Sequence, residues 1–553
     1  MEKSFQAFAS SPDMPIFWKF RMNELSLHNQ SQYTKFCSMI YPIGVQSFKK
    51  LREMGMAYVD KTAIVYDLVH QGQYIFLSRP RRFGKSLILS TIEAYFEGRK
   101  ELFEGLAISE MEKEWDVYPV IHIDLNTGSY DSVEKLRQHL MTQMSRLESR
   151  FGRNADETLI SDRFSGAIMR AVEQAGRNVV VLIDEYDKPL LEAIGKPELQ
   201  EAMRDELRSF YSVLKSCDQY IRFAMLTGVT KFGRLSVFSG LNNIKDITFR
   251  PEYAALCGIT EAEMLSQFAE PIRSMAENEG CSVAEMVTSL RQMYDGYRFT
   301  REDLLVYNPF SLLNAFDAKE LESYWFATGT PKYLVELLRR HHYDISNIEG
   351  VTADVERLSN MDTDGYDPIP VIYQSGYLTI KSYNREYKSF TLGYPNEEVR
   401  IGLMKYLLPV YVDNYTAVDR FDYRIFADEI KKGKADEFMK RLQALTADIS
   451  YQVLANCEND FQNLLYVVFS LASAKPIVER HTSDGRIDML VKTDKYIYIL
   501  ECKVDGSAQD AIDQIERKQY ALPWSVDGRQ VIKIGANFST TERRLTEYVI
   551  SFS

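Results

Sequence analysis

Two stretches of this 553-residue chain carry residue types at spacings that could do chemistry. In Ser78-Arg-Pro-Arg-Arg-Phe-Gly-Lys-Ser-Leu87, the run Gly84-Lys85-Ser86 has what phosphate binding needs. It offers backbone N–H groups in a turn, a lysine to reach β- and γ-phosphates, and a hydroxyl to hold Mg²⁺. Downstream, Asp184 and Glu185 close an apolar run. Asp184 would complete the Mg²⁺ shell, and Glu185 would polarise an attacking water as general base. Near the C-terminus, Asp488 precedes Glu501-Cys502-Lys503. Two carboxylates can share Mg²⁺ with open water positions, and Lys503 can orient or deprotonate a nucleophile.

Such groups work only if regular elements hold them. Tyr74 to Leu77 reads as a buried strand and Leu87 to Phe96 as an apolar helix. The Gly84-Lys85-Ser86 turn therefore sits between strand and helix, the context of a phosphate-binding loop. One position departs from the usual pattern: Arg79 stands where the first glycine is expected. Asn178 to Ile183 reads as a strand buried on both faces, delivering Asp184 and Glu185 to the edge where α/β ligands bind. Tyr220 to Val229 reads as another parallel strand, with Thr227 at its end beside the expected γ-phosphate. Lys231, Arg234 and Arg250 are either phosphate sensors or solvated loop charges.

At the C-terminal end, Ile477 to Val491 reads as two strands and Tyr496 to Val504 as a third. Strand alternation puts Glu501 and Lys503 on one face and Cys502 on the other. A lone Glu-x-Lys arises on any solvated strand face. The order Glu479, Gly485-Arg486-x-Asp488, Glu501-x-Lys503, Gln514, Gly535-x-x-Phe538 is far more specific. Glu479 or Glu458 could add a further acid, and Gln514 falls on the following helix.

The rest of the composition bounds the function. Hydrophobic content of 45% and charged content of 26% describe an ordinary globular chain, long enough for several domains. A net charge of −12 does not suggest a nonspecific nucleic-acid coat. The six cysteines are scattered without a CxxC pair, which argues against a zinc site or a disulfide framework. No apolar run approaches the ~18 residues of a membrane helix, and no signal-peptide core is evident. A cytoplasmic protein with no membrane partner is expected. The aromatic-rich stretch from Tyr294 to Phe326 fits a packed inter-helix core better than a base-stacking surface.

Taken together, five stretches identify a resemblance. They are Tyr58-Val-Asp-Lys-Thr62, Ser78 to Leu87, Leu182-Ile-Asp-Glu-Tyr-Asp-Lys-Pro189, Leu226-Thr-Gly-Val-Thr-Lys-Phe232 and Phe238 to Asp246. Residues 41 to about 250 closely resemble the AAA-ATPase-like domain of many bacterial and some archaeal proteins. The C-terminal order resembles the PD-(D/E)xK nuclease domain that commonly follows it. The resemblance implies an α/β fold: a P-loop NTPase with an AAA-like parallel sheet and helices on both faces, a helical lid, a small connecting region and a C-terminal α/β restriction-endonuclease-like domain. The expected divisions are an extension at 1–38, the P-loop domain at 39–257, the lid at 258–345, the connecting region at 346–450 and the nuclease-like domain at 451–553. ATP and Mg²⁺ are the implied cofactors. Arg81, Arg82, Phe83, Gly84, Lys85, Ser86, Leu87, Asp184 and Thr227 are the implied nucleotide-binding residues, with Ser86 and Asp184 on the metal. Glu185 is the implied ATPase base. Asp488, Glu501 and Lys503 are the implied nuclease residues, with Asp488 and Glu501 as metal ligands. The family form of the loop carries arginines, so Arg81 or Arg82 should face the phosphates or the C-terminal domain. Nucleic acid, DNA in the first instance, is the expected partner, and the chain could form homo-oligomers. A bacterial ATP-dependent or ATP-regulated nuclease is the leading expectation. The alternative is a nucleotide-operated switch whose nuclease-like domain binds nucleic acid or a partner without cleavage.

Overall fold

The computed structural model describes residues 39–231, 243–326, 334, 337–338, 343–359, 367–412, 421–447, 458–472, 476–482 and 485–552. The expected extension 1–38 and the candidate sensor Arg234 lie outside them, as do the side chains of Glu458 and Glu479.

The chain first forms helices α1 (Phe48–Glu53) and α2 (Thr62–Gln71), the second preceded by an Asp60 carboxylate that accepts from Thr62 N at 2.8 Å. Strand β1 (Tyr74–Ser78) is buried at every residue and runs into the Arg79 to Gly84 loop. Helix α3 (Lys85–Phe96) begins two residues earlier than the apolar pattern indicated, because Gly84 caps it in the left-handed region (φ +90°). Then come β2 (Val120–Asp124), α4 (Val133–Phe151), α5 (Ile160–Ala175) and β3 (Val179–Asp184). Helix α6 (Pro197–Ser216) leads to β4 (Ile221–Gly228) and the short β5 (Lys245–Asp246). These strands make one sheet in the order β2-β3-β4-β1-β5, with every pairing parallel. Parallel strands must be covered on both faces, and the unbroken apolar run of β3 is what that burial requires. The order sets β4 between the loop strand β1 and the acidic strand β3, so Thr227 at the end of β4 stands between Lys85 and Asp184.

The middle of the chain is helical: α7 (Glu261–Gln267), α8 (Ala269–Glu279), α9 (Val283–Tyr294) and α10 (Pro309–Ala318). Its aromatic residues are core: Tyr294, Tyr297, Tyr307 and Trp325 are all buried. A three-stranded antiparallel sheet follows, in the order β6-β8-β7, from β6 (Thr352–Ala353), β7 (Thr379–Asn384) and β8 (Ser389–Gly393), with helix α11 (Ile369–Gln374) ahead of β7. Helices α12 (Glu397–Val412), α13 (Tyr423–Lys431), α14 (Ala435–Ala447) and α15 (Glu458–Leu471) come next.

The last sheet has the order β13-β12-β11-β10-β9, built from β9 (Ile477–Thr482), β10 (Gly485–Lys492), β11 (Tyr496–Val504), β12 (Gln530–Ser539) and β13 (Arg544–Phe552). It is mixed: β11 pairs with β12 in parallel and the other pairs are antiparallel. Helix α16 (Ala508–Arg517) is the crossover between β11 and β12. The sheet is covered on both faces. Met489, Tyr498 and Leu500 join a core continuous with the N-terminal sheet, while Leu490, Ile497 and Ile499 pack with Ile512 and Ile515 of α16. Pro42–Ser553 accordingly forms one compact unit.

Candidate functional site

In the N-terminal sheet, β1 and α3 fix the loop between them, and the groups expected around a phosphate meet at its mouth. Lys85 is buried and donates to the carbonyls of Arg79 (3.1 Å) and Pro80 (3.2 Å). Its Nζ lies 3.5 Å from Glu185 Oε1. Asp184, 4% exposed, accepts from Thr227 Oγ1 at 2.5 Å and from Glu185 N at 3.0 Å. Glu185 itself adopts φ +51°, a conformation that non-glycine residues rarely hold without a constraint. Ser86 sits half-buried in the first turn of α3. Lys85, Asp184, Glu185 and Thr227 thus form one hydrogen-bonded and ion-paired set.

The remaining loop residues are deployed differently from one another. Arg81 and Arg82 are exposed, and the Arg82 guanidinium lies 4.9 Å from the centre of the Phe310 ring. Phe83 is buried, edge-on to Tyr297 (4.7 Å) and Phe299 (5.4 Å). Gly84 and Leu87 line an apolar cavity of about 90 Å³, closed on its other sides by Tyr58, Lys61, Cys257 and Ile259. Lys61 is bound by both oxygens of Glu263 (2.6 and 2.7 Å), and Glu263 also accepts from Thr260 N at the start of α7. A half-buried ion pair between Lys61 and Glu263 of α7 therefore flanks the cavity.

Sequence reading missed three features here. Arg79 does not take over a glycine's place in the loop. Its guanidinium turns inward, donating to Ser78 O (2.9 Å) and Thr248 O (2.8 Å) and lying 4.3 Å from the Phe299 ring centre. Asp187 is fully buried and accepts from Val229 N (3.1 Å), Thr230 N (2.5 Å) and Thr230 Oγ1 (2.6 Å), tying the exit of β3 to that of β4. Burial first, and then the Glu185 charge, pushes its carboxyl above the usual carboxylate range. Lys231 pairs with Asp246 at 2.5 Å, and Arg250 is exposed.

In the C-terminal sheet, β10 and β11 carry Asp488 and Glu501. The Asp488 carboxylate accepts from Cys502 N at 2.8 Å, which holds it against β11 at the level of Glu501. Glu501 is 2% exposed, and Lys503 Nζ lies 3.6 Å from its Oε1. Gln514 of α16 bridges the pair: its carbonyl accepts from Lys503 Nζ at 2.7 Å and its amide donates to Glu501 Oε1. Gly535 makes that bridge possible. A Cβ there would stand 2.2 Å from the Ala508 carbonyl, so glycine lets α16 lie directly on the sheet opposite Glu501. Burial first, and then the Asp488 charge, pushes the Glu501 carboxyl up to about 7. Its Oε2 is buried with no hydrogen-bond partner. A buried carboxylate oxygen with nothing to bind is the donor a divalent cation would satisfy, so Asp488 and Glu501 fit a Mg²⁺. Register sets position 479 of β9 across from Asp488, between the pairs Ile487↔Arg480 and Met489↔Val478.

A parallel sheet with a Lys-Ser loop and an Asp-Glu strand end, joined to a mixed sheet with an Asp, Glu and Lys cluster, defines the class of a P-loop ATPase-like protein with a nuclease-like C-terminal domain. Family comparison agrees. Residues 42–238 match the model described as "Predicted AAA-ATPase", and residues 456–548 match that of the PD-(D/E)XK nuclease superfamily. A protein of Azotobacter chroococcum mcd 1, described as "Uncharacterized protein in vnfD 5'region", is 35% identical over 522 residues, spanning 92% of this chain and 98% of that one. The chain belongs to this family of AAA-ATPase-like proteins with a C-terminal PD-(D/E)XK domain. Among solved structures, the Aeropyrum pernix ORC2 protein (ADPNP–ADP complexes) aligns over 63% of this chain and 88% of its own. At 9% identity and a TM-score of 0.22, that likeness carries no argument. No helix among the described residues is long and apolar enough to cross a membrane.

Proposed function

We propose that this protein binds ATP–Mg²⁺ in the N-terminal sheet, hydrolyses it there, and uses the nucleotide state to control Mg²⁺-dependent cleavage of a nucleic acid, DNA in the first instance, by the C-terminal sheet. The observation that carries this reading is the buried, unpartnered Glu501 Oε2 beside Asp488, with Lys503 one strand step away on the same face.

In the N-terminal site, Lys85 would leave the Arg79 and Pro80 carbonyls for the phosphates, with Arg81 and Arg82 at the loop's exposed rim and the base in the apolar cavity behind Gly84, Leu87 and Phe83. Ser86 and Asp184 would hold the Mg²⁺. Thr227 aligns Asp184 through its hydroxyl. Glu185, released from Lys85, would take a proton from the attacking water. In the C-terminal site, Asp488 and Glu501 would hold a Mg²⁺ that supplies a lowered water pKa and charge stabilisation at the phosphate. Lys503, steered by Gln514, orients the nucleophile.

The test is cleavage of a DNA duplex with Mg²⁺ and ATP by the wild type, Lys503→Ala and Lys85→Ala. Cleavage should vanish in the first variant and lose its ATP response in the second. Activity that survives Lys503→Ala overturns the site. One observation favours the switch reading: residues 451–553 carry 12 Lys+Arg against 14 Asp+Glu, a near-neutral balance for a nucleic-acid cleaving surface. That reading expects nucleotide and nucleic-acid binding with no cut product at any protein concentration.

A further inference from the structure

The loop that precedes Gly84 is gripped from outside by residues far along the chain. Trp325 Nε1 donates to the Arg81 carbonyl at 3.4 Å, and its ring packs edge-on to Tyr377 at 5.1 Å. The Tyr324 and Trp325 N–H groups both end on Glu398 Oε1, at 2.6 and 2.8 Å. Glu398 opens helix α12 and is 1% exposed. The neighbouring Phe326 ring lies directly on the bare face of α12 at Gly402. On its other side α12 meets α15: Arg400 donates to the Ser470 carbonyl at 2.9 Å. Helix α15 in turn packs Phe461 against Phe538 of β12, with the rings tilted and their centres 4.5 Å apart. Phe538 pairs with Val504, the residue after Lys503 on the catalytic strand.

We propose that Trp325, Glu398 and helices α12 and α15 form the physical link by which phosphate binding at the loop regulates the Asp488–Glu501–Lys503 site. The proposal rests on the ATP-binding reading above and names its route of regulation. Its trigger is competition for one ammonium group. Without nucleotide, Lys85 Nζ is held by the Arg79 and Pro80 carbonyls. Phosphate oxygens draw it away, and the freed peptides lie next to the Arg81 carbonyl that Trp325 grips. A ligand shifts such an equilibrium only by its differential affinity for the two arrangements, and Lys85 supplies that difference. The chain is stiff beyond that point, because Glu398 fixes two consecutive backbone N–H groups and α15 is buried along its described length from Phe461.

The experiment is hydrogen–deuterium exchange on the full chain with and without a non-hydrolysable ATP analogue and Mg²⁺. In the wild type, the analogue should slow exchange at the loop and also change it by about fivefold or more in α15 and β12. In Trp325→Phe, which keeps the aromatic packing and removes the indole N–H, the loop should still respond and α15 should not. Arg400→Leu, which cuts the link at its far end, should give the same uncoupled pattern. An α15 response unchanged in both variants, or absent in the wild type while the loop responds, overturns the link. No response anywhere, loop included, removes the ATP-binding reading and the link with it.

Discussion

Gln514 is the residue whose placement says most about the C-terminal site. Sequence places it only on the helix after the Glu501 strand, yet its amide spans Lys503 and Glu501. A group that holds a lysine and a proposed metal-binding carboxylate in place would set their geometry without touching substrate. Gln514→Ala should therefore lower cleavage about 10- to 100-fold while leaving nucleotide binding unchanged. A loss equal to that of Lys503→Ala would instead make Gln514 part of the chemistry. Glu398 makes a second prediction at this scale. Burial pushes its carboxyl up to about 7, from 4.5 in an unfolded chain. The native state thus binds a proton that the unfolded state has released between those values. Stability from the neutral form is complete below about pH 4.5 and is lost as the pH rises through 7, a change of about 3 kcal/mol. Denaturant unfolding at pH 5 and pH 7.5 should show most of that difference in the wild type relative to Glu398→Gln. Equal pH dependence in the two proteins would contradict it. Residues such as these were hard to read from sequence because their partners are distant: Trp325 and Arg81 are 244 positions apart. Arg79 looked like part of a phosphate loop because an arginine's direction is not a property of local sequence. Only the downstream Thr248 carbonyl and Phe299 ring turn it inward.

Elements were more legible than residues. The apolar runs at Tyr74, Val179 and Tyr496 could only be covered strands, and each is one. What periodicity could not give was which helix lies on which sheet, since any apolar face will serve. Gly535 settles one such choice by leaving room for the α16 backbone. Gly535→Ala would press a methyl group into the Ala508 carbonyl, and neither backbone can move far. Overpacking of this kind costs about 1–3 kcal/mol. We expect a lower unfolding midpoint in urea and, because α16 carries Gln514, a loss of cleavage larger than the stability change explains. Helix α7 offers a second test. Glu263→Ala removes the α7 capping partner and leaves Lys61 buried and unpaired. Glu263 is itself 26% exposed, so the loss falls short of the ~3–5 kcal/mol of a fully buried pair; Tm should fall by a few degrees and nucleotide affinity should weaken with it. A variant as stable as the wild type would show that Lys61 finds water instead.

At the scale of the whole molecule, the continuous core is the dominant fact. Side chains from Phe48 to Leu545 belong to one apolar cluster. Chains that share a core unfold together. Calorimetry should therefore give one main transition, and saturating ATP should raise it as a unit, by about 2.7 kcal/mol at 100 times the dissociation constant. Two transitions, only one of them moved by nucleotide, would mean that the two sheets are energetically separate. The order of the motifs along the chain anticipated both sheets. It did not anticipate that they would be stabilised through the same helices, because sequence patterns record which residues are apolar and not what they are apolar against.

Helix α12 has a consequence for how such chains could be recombined. It belongs by position to the stretch between the two sheets, yet its buried side chains complete the packing of α15 and so of the sheet that follows. A crossover between relatives placed just before β9 would graft one protein's C-terminal strands onto another's supporting helices, and the joint would fail at Arg400 and Ser470. A crossover placed ahead of Glu397 would carry the support along with the strands. The heritable module that ends this chain therefore begins at α12, well ahead of β10, the strand that carries Asp488.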